Sequence, residues 1–465
     1  MTSLRNFICN FYAIFVVLSF MKLFIFIFLT GMFFGTANSS PLPTDFINKE
    51  AKDINSILEA LFKTKNVSVP EKVSGEQVAR RIYLKLAGRI PSYKEITSYL
   101  ADESINKKDR LVDSLSQSTA YDSQMFNWWA DLLRLKTKMP GGNQIGAGQF
   151  YVHWVKEQVG KNVPFDQMVF NLITAEGYPW ENGAVGYYLR DAGMPLDNMS
   201  NTTQAFLGTQ MVCAQCHNHP FDRWTQMDYY KMAAYTYGIT SSRGGELQSR
   251  IKQSIKEQAR HLTLKEKNEL QHSKEAQALR RSIIEMIKPL RYGATHSKRK
   301  LALPHDYQYD DANPKSKVIP SPIFGKIINF PQEDSPVQSY GKWLTTPENP
   351  RFTKVIANRI WKKVFGRGLV EPLDDWRDDT IVSVPELLDH LEGLMVRVGY
   401  DLKEFQRVLF RVDAFENSAP PYLPNSESPY YFEAPLLERM SAEQIWDSLV
   451  SLSVPDADER KADSR

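Results

Sequence analysis

Apolar residues recur three and four positions apart through most of the chain, in runs closed by polar punctuation, which is the pattern of amphipathic helices. Gln77 to Ala87 (QVARRIYLKLA) is one such run; it stops at Gly88 and is followed by Pro91. Ser92-Tyr-Lys-Glu95 opens the next helix with a capping box, in which two side chains satisfy two unpaired backbone N–H groups of the first turn. Ser383-Val-Pro-Glu386, Asp401-Leu-Lys-Glu404 and Ser441-Ala-Glu-Gln444 repeat the form. Strand-like alternation and Asn-Gly hairpins are scarce. The fold expected is mainly α, with two helical domains separated by a charged helical hairpin and a Pro-rich loop segment.

Residues 11–35 depart from this pattern with an almost unbroken apolar run, interrupted by Lys22. Read from Met21, Lys22 gives a positive start and Leu23 to Phe34 an apolar stretch; Gly35 and Ala37 are the small residues of a cleavage site. Residues 1–37 are therefore expected to be a signal peptide, with Asn38 as the mature start. The same run is long enough to span a bilayer if it stays uncleaved as a membrane anchor. Either way the bulk of the protein is expected to be exported, periplasmic or extracellular.

Residues 38–75 read as a linker holding a short helix. Residues 76–240 form a first domain, its core drawn from Phe126, Trp128, Trp129, Trp154, Phe165 and Phe170. Residues 241–300 read as a basic helical hairpin insert. Between Arg250 and Lys300 fourteen Lys and Arg stand against five Asp and Glu, and Ile251, Ile255, Leu262, Leu279, Ile283, Ile287 and Leu290 give only a sparse apolar stripe. Residues 301–345 are a loop-rich connector. Residues 346–465 form a second helical domain, expected to be incomplete because its helix from Ser441 to Ser453 runs into a polar tail.

At 465 residues, 42% hydrophobic and 24% charged, the chain is a globular one. Its net charge of +3 gives no ground for a nucleic-acid partner. The basic insert suits an arm that docks an anionic partner, or a solvated helix face.

Cysteine changes the picture. Cys9 falls in the signal segment, so the mature chain keeps only Cys213 and Cys216, in CAQCHNHPFD. An exported protein with two thiols in one CxxC, the second followed by His217, is not using cysteine for general stapling. Four readings fit. In a c-type haem site both sulfurs form thioethers to the porphyrin and His217 takes an axial position on the iron. A thioredoxin-like redox dithiol needs a βαβ setting, which the pattern does not show. A zinc site would use Cys213, Cys216 and one of His217, His219 or Asp222, with His305, Asp306, Asp310 and Asp311 as distant ligands. A plain disulfide is the fourth.

For haem, His219 stands too near His217 to reach the opposite face of one iron and reads as a hydrogen-bonding partner. Met199, Met211, Met227, Met232 and His153 are the candidates for a sixth ligand, and Trp224, Tyr229, Tyr230 and Tyr235 could wall the ring, although all of these also suit a helical core. Asp374-Asp375-Trp376-Arg377-Asp378-Asp379 suits a calcium or acid–base site, or helix capping and arginine pairing between helices. Serine-hydrolase elbows, P-loops, dinucleotide-binding glycine patterns and HExxH are absent.

RRIYLKLAGRIPS, WWADLLRL, PFDQMVFNLITAEG, MVCAQCHNHPFDRWTQMDYYKMAAY, LPHDYQYDDANP, NPRFTKVIANRIWKKVFGRGLVEPLDDWRDDT and RMSAEQIWDSL together give the chain a resemblance. It resembles large secreted proteins abundant in planctomycetes, which carry a cytochrome-c-like domain of unknown function followed by a planctomycete-specific domain of unknown function. Nearly all the mature chain is covered. The resemblance implies a cytochrome-type haem signature at Cys213, Cys216 and His217. Many relatives carry a further haem-binding domain ahead of this region, not seen here, and their second domain runs on past the equivalent of Arg465. The expectation is thus an exported protein holding haem c, with an electron-transfer or oxidoreductase-support role and an unidentified redox partner. The rival is a non-haem extracellular binding or scaffold protein, its partner a polysaccharide, with a CxxC disulfide.

Overall fold

Helix α1 (Thr44–Lys65) lays Ile47, Ala51, Ile54, Leu58 and Phe62 along one buried stripe. The stretch expected to be a linker with a short helix is thus a 22-residue helix docked on the body; its apolar positions are hidden in the sequence among Lys, Asn and Asp. The computed structural model describes residues 41–139, 147–242, 292–325, 335–420 and 430–454, with a few isolated positions besides. The expected signal peptide and most of the basic hairpin lie outside the described residues.

The punctuation sets the next elements. Helix α2 (Gly75–Ile82) passes into a π turn, Tyr83–Ala87, and ends at Gly88 with φ 69°, a left-handed stop that a side chain would resist. Helix α3 (Tyr93–Ala101) begins on the expected box: Ser92 Oγ accepts from Glu95 N at 3.3 Å and Ser92 N donates to Glu95 Oε2 at 2.7 Å. The nearly buried Arg89 lays its fork on the same carboxylate at 2.8 and 2.9 Å. Burial opposes the Glu95 charge, but the Arg89 fork and the Ser92 donors outweigh it and hold the carboxyl at about 2. The folded value lies below the unfolded one, so this stabilisation is complete above the ordinary carboxyl value and fades as pH falls toward 2. Glu95→Gln should lower the urea midpoint at pH 7 and merge with wild type at the acid end; an equal gap at both ends would sink this assignment.

Helices α4 (Lys107–Ser116), α5 (Thr119–Leu132), α6 (Ala147–Gly160), α7 (Phe165–Ile173), α8 (Gly186–Arg190), α9 (Pro195–Leu207) and α10 (Gln226–Thr236) follow. Beyond the connector come α11 (Pro336–Thr345), α12 (Phe352–Phe365), α13 (Pro385–Arg397), α14 (Leu402–Leu409) and α15 (Ala442–Ser453). The fold is mainly α as the periodicity predicts, and the one sheet among the described residues is two-stranded.

From Pro41 onward the chain is one compact unit, and its two helical stretches are not set apart in space. Helix α11 packs on α7 and α10, α12 on α9 and α13, and α1 on α13 and α14. An aromatic seam crosses between the halves: Trp129 stacks on Phe165 at 5.2 Å, and Phe165 meets Phe206 and Phe352 at 6.1 and 5.3 Å. Of the expected aromatic core, Trp129 and Phe165 are buried, while Phe126, Trp128 and Trp154 are half-buried against them.

Strand β1 (Ile239–Ser242) pairs antiparallel with β2 (Tyr292–His296), with Ile239 opposite His296 and Ser242 opposite Tyr292. The expected insert therefore leaves and rejoins the body through this ribbon. One capping expectation is corrected. Helix α13 has Val384 at its N-cap, with Pro385 first in the helix and no side-chain cap, while Ser383 N donates to Leu369 O at 2.8 Å. That tie is part of the pairing of Val370 with Val382, which spends Ser383 on a bridge instead of a box. Among the described residues, no helix is long and apolar enough to cross a membrane.

Candidate functional site

Helix α9 stops at Gly208 in the left-handed region (φ 59°), and its carbonyl accepts from Trp376 N at 2.7 Å. A Cβ at Gly208 would sit 3.0 Å from Val355 and 3.1 Å from the Leu373 carbonyl, so the tight approach of α12 and the acidic segment favours glycine there. The chain then enters the CxxCH stretch. Met211 and Ala214 are buried and pin a 3₁₀ turn, Val212–Gln215. In a 3₁₀ turn positions three apart eclipse one another, so Cys213 and Cys216 stand on one side. Both thiols are free and exposed.

The turn is held from below and behind. Gln215 O accepts from Gln226 Nε2 at 3.0 Å, and Gln215 Oε1 accepts from the Tyr229 hydroxyl at 3.2 Å. Asn218 Oδ1 accepts from Gln226 N at 2.9 Å, at the start of α10. Asn218 N donates to the Tyr309 hydroxyl at 2.6 Å, which ties the CxxCH loop to the connector, and His219 N donates to Trp224 O at 2.8 Å, closing the loop.

The two imidazoles are set in opposite tautomers by these partners. His217 Nδ1 lies 2.7 Å from Asn218 O; a carbonyl only accepts, so Nδ1 carries a proton and, when the ring is neutral, Nε2 presents a lone pair. His219 Nδ1 accepts from Phe221 N at 3.2 Å, so its proton sits on Nε2 when the ring is neutral. His217 is exposed, and a backbone carbonyl on Nδ1 is the kind of partner that orients a ligating imidazole.

The other predicted ligands are not brought to the turn as open groups. Met199, Met211 and Met232 are fully buried core side chains, Met227 is half-buried, and His153 is exposed on α6. Trp224, Tyr229, Tyr230 and Tyr235 are buried; Tyr235 stacks on Tyr340 at 5.3 Å and Trp224 meets Phe324 edge-on at 5.3 Å. These rings pack into the body.

The connector does reach the turn, but through Tyr309. His305 and Asp306 are exposed and 4.0 Å apart, and Asp311 accepts from the Tyr307 hydroxyl at 2.5 Å. Among the described residues, no three His, Cys, Asp or Glu side chains are gathered to hold a metal ion, so the distant zinc ligands are not assembled. The acidic run makes pairs: Asp374 accepts from Gln204 Nε2 at 2.8 Å, Asp375 pairs with Arg377 at 2.6 Å, and Asp378 with Arg223 at 3.3 Å. Pairing is what it does; the helix-capping part of the expectation is replaced by the Val384 start of α13.

Sequence reasoning passed over Asn218 and Tyr309. Each lies in a quoted motif, but their contact spans 91 positions. The donor set fits a c-type haem: two thiols on one side of a turn and a following imidazole with a free Nε2. The rings expected to flank that haem are committed elsewhere.

These features define a mainly helical protein in which a CxxCH turn is braced by the connector and by α10. Residues 53–240 match the PSCyt2 model, a protein of unknown function (DUF1549), and residues 338–463 match PSD1, a protein of unknown function (DUF1553). The chain carries both of these domains of unknown function, the pair typical of this kind of protein. No curated protein and no solved structure matches it.

Proposed function

We propose that this chain is an exported protein that holds one haem c through Cys213, Cys216 and His217 and passes electrons to a redox partner. The observation that supports it is the setting of His217: Nδ1 lies 2.7 Å from Asn218 O, so in the neutral ring Nε2 is left for a ligand, on the residue that follows two exposed thiols in sequence. Bound there, a haem supplies one-electron chemistry at its iron. The chain's own residues do the rest. Gln226 and Tyr309 fix the turn, Asn218 orients the imidazole, and exposure of the turn leaves its edge open to a partner. The rival, a scaffold protein with a Cys213–Cys216 disulfide, predicts an oxidised pair in place of the haem adduct.

Expression with a cytochrome c maturation system, followed by a pyridine haemochrome spectrum of the denatured protein, tests the proposal. A covalent Soret-absorbing adduct lost in Cys213→Ser and Cys216→Ser is expected, with His217→Ala keeping any attached porphyrin but changing its ligand field. No adduct on wild type, with the two thiols oxidised to a disulfide by mass, would overturn it in favour of the scaffold.

A further inference from the structure

Where the CxxCH loop, the connector and the start of α12 meet, aromatic rings and guanidinium groups alternate. Arg223 lies 4.6 Å from the Trp224 ring centre and 5.9 Å from that of Phe324; Arg351 lies 5.4 Å from Phe324 and 5.4 Å from Trp376. The three rings are buried, with 4, 6 and 5% of Trp224, Phe324 and Trp376 exposed. A guanidinium stacked by its face keeps its N–H fork free in the plane for an acceptor.

Those forks are poorly served. Arg223 has Asp378 at 3.3 Å, with both side chains largely exposed. Among the described residues, the half-buried Arg351 side chain has no hydrogen bond or ion pair. Burial and the charge of Arg223 pull Arg351 below the ordinary guanidinium value, opposed by Asp378 and Asp222 from beyond ion-pair distance. The indole N–H groups of Trp224 and Trp376, whose rings carry these guanidinium groups, are buried without an acceptor among the described residues. Two guanidinium groups stacked about one ring, with one loose carboxylate contact between them, leave donor capacity for an anion.

We infer that Arg351 and Arg223, stacked about Phe324, form a binding site for the carboxylate of a small organic acid or acidic sugar, with Asp378 as an internal stand-in that the ligand displaces. One nitrogen of Arg223, Nη1, already lies 3.3 Å from a carboxylate oxygen, which favours that chemistry, and Asp378 is exposed enough to leave. The site draws on residues from both matched domains and does not depend on haem attachment.

Calorimetric titration of the full chain with malonate and with D-glucuronate tests it, with malonamide and methyl glucoside as neutral controls. Saturable binding of at least one acid is expected, and which acid binds tells the source. Arg351→Gln should weaken it by about tenfold or more, the effect of losing a charge-assisted pair. Asp378→Asn should tighten it, because the competing carboxylate is gone. Arg351→Lys should keep the fold, checked by its melting curve, and still bind more weakly for want of the planar fork. The site is refuted if neither acid saturates in the tens of millimolar, if the neutral controls bind equally, or if Asp378→Asn fails to tighten binding.

Discussion

Asp113→Ala is expected to lower the unfolding free energy by about 3 kcal/mol, the low end of what breaking a buried ion pair costs. Asp113, on α4, receives Arg407 Nε at 2.8 Å and Arg411 Nη2 at 3.1 Å from the other half of the chain. Only 5% and 3% of those arginine side chains is exposed, against 36% of Asp113. Removing the carboxylate thus strands two guanidinium groups that water barely reaches, while its own desolvation is easily regained. Partial relief is at hand: Arg407 keeps Glu404 at 2.6 Å and Arg411 has Asp109 at 3.5 Å, which places the loss at the lower end. Urea denaturation monitored by tryptophan fluorescence measures it, and adding Arg411→Met to the variant should restore part of the loss. A cost under about 1 kcal/mol, the range of an exposed pair, would show that Asp109 and Glu404 suffice.

Trp361→Ala should cost about 3–5 kcal/mol, as expected for truncating a large side chain in a closed core. Trp361 is fully buried on α12, stacked on Phe365 at 4.0 Å and 14° and meeting Phe432 edge-on at 5.4 Å. Alanine leaves a void that α12 cannot close without moving Phe365, which is itself fully buried. Trp361→Phe is the informative control. The indole N–H of Trp361 has no acceptor among the described residues, so phenylalanine gives up ring area but also removes an unsatisfied donor. Melting curves should therefore place Phe much nearer wild type than Ala; equal losses would mean that the indole edge has a partner in solution.

Local chemistry was legible in the sequence where it acts over one turn. Gly88 stops its helix, and Ser92 and Ser441 form their boxes with Glu95 and Gln444. Asp401 caps α14 with its carboxylate alone, accepting from Lys403 N and Glu404 N. Ser383 had the same letters and a different fate, because a bridge to Leu369 claimed its N–H first. Helix α1 was undersold since its stripe faces a partner, α13 and α14, more than three hundred positions away. The candidate site divides in the same way. Cys213, Cys216 and His217 are adjacent, so spacing found them; Tyr309 and Arg351 reach the region only through folding, and no pattern of neighbours announces them.

The antiparallel ribbon of Ile239–Ser242 with Tyr292–His296 has a last consequence. Its two feet stand one strand spacing apart, so the body meets residues 243–291 as it would a hairpin tip, whatever their length. Because the cost of joining two fixed ends rises only slowly with the length of chain between them, the span between these feet is where evolution can lengthen, shorten or exchange sequence while the helices and the CxxCH turn keep their places.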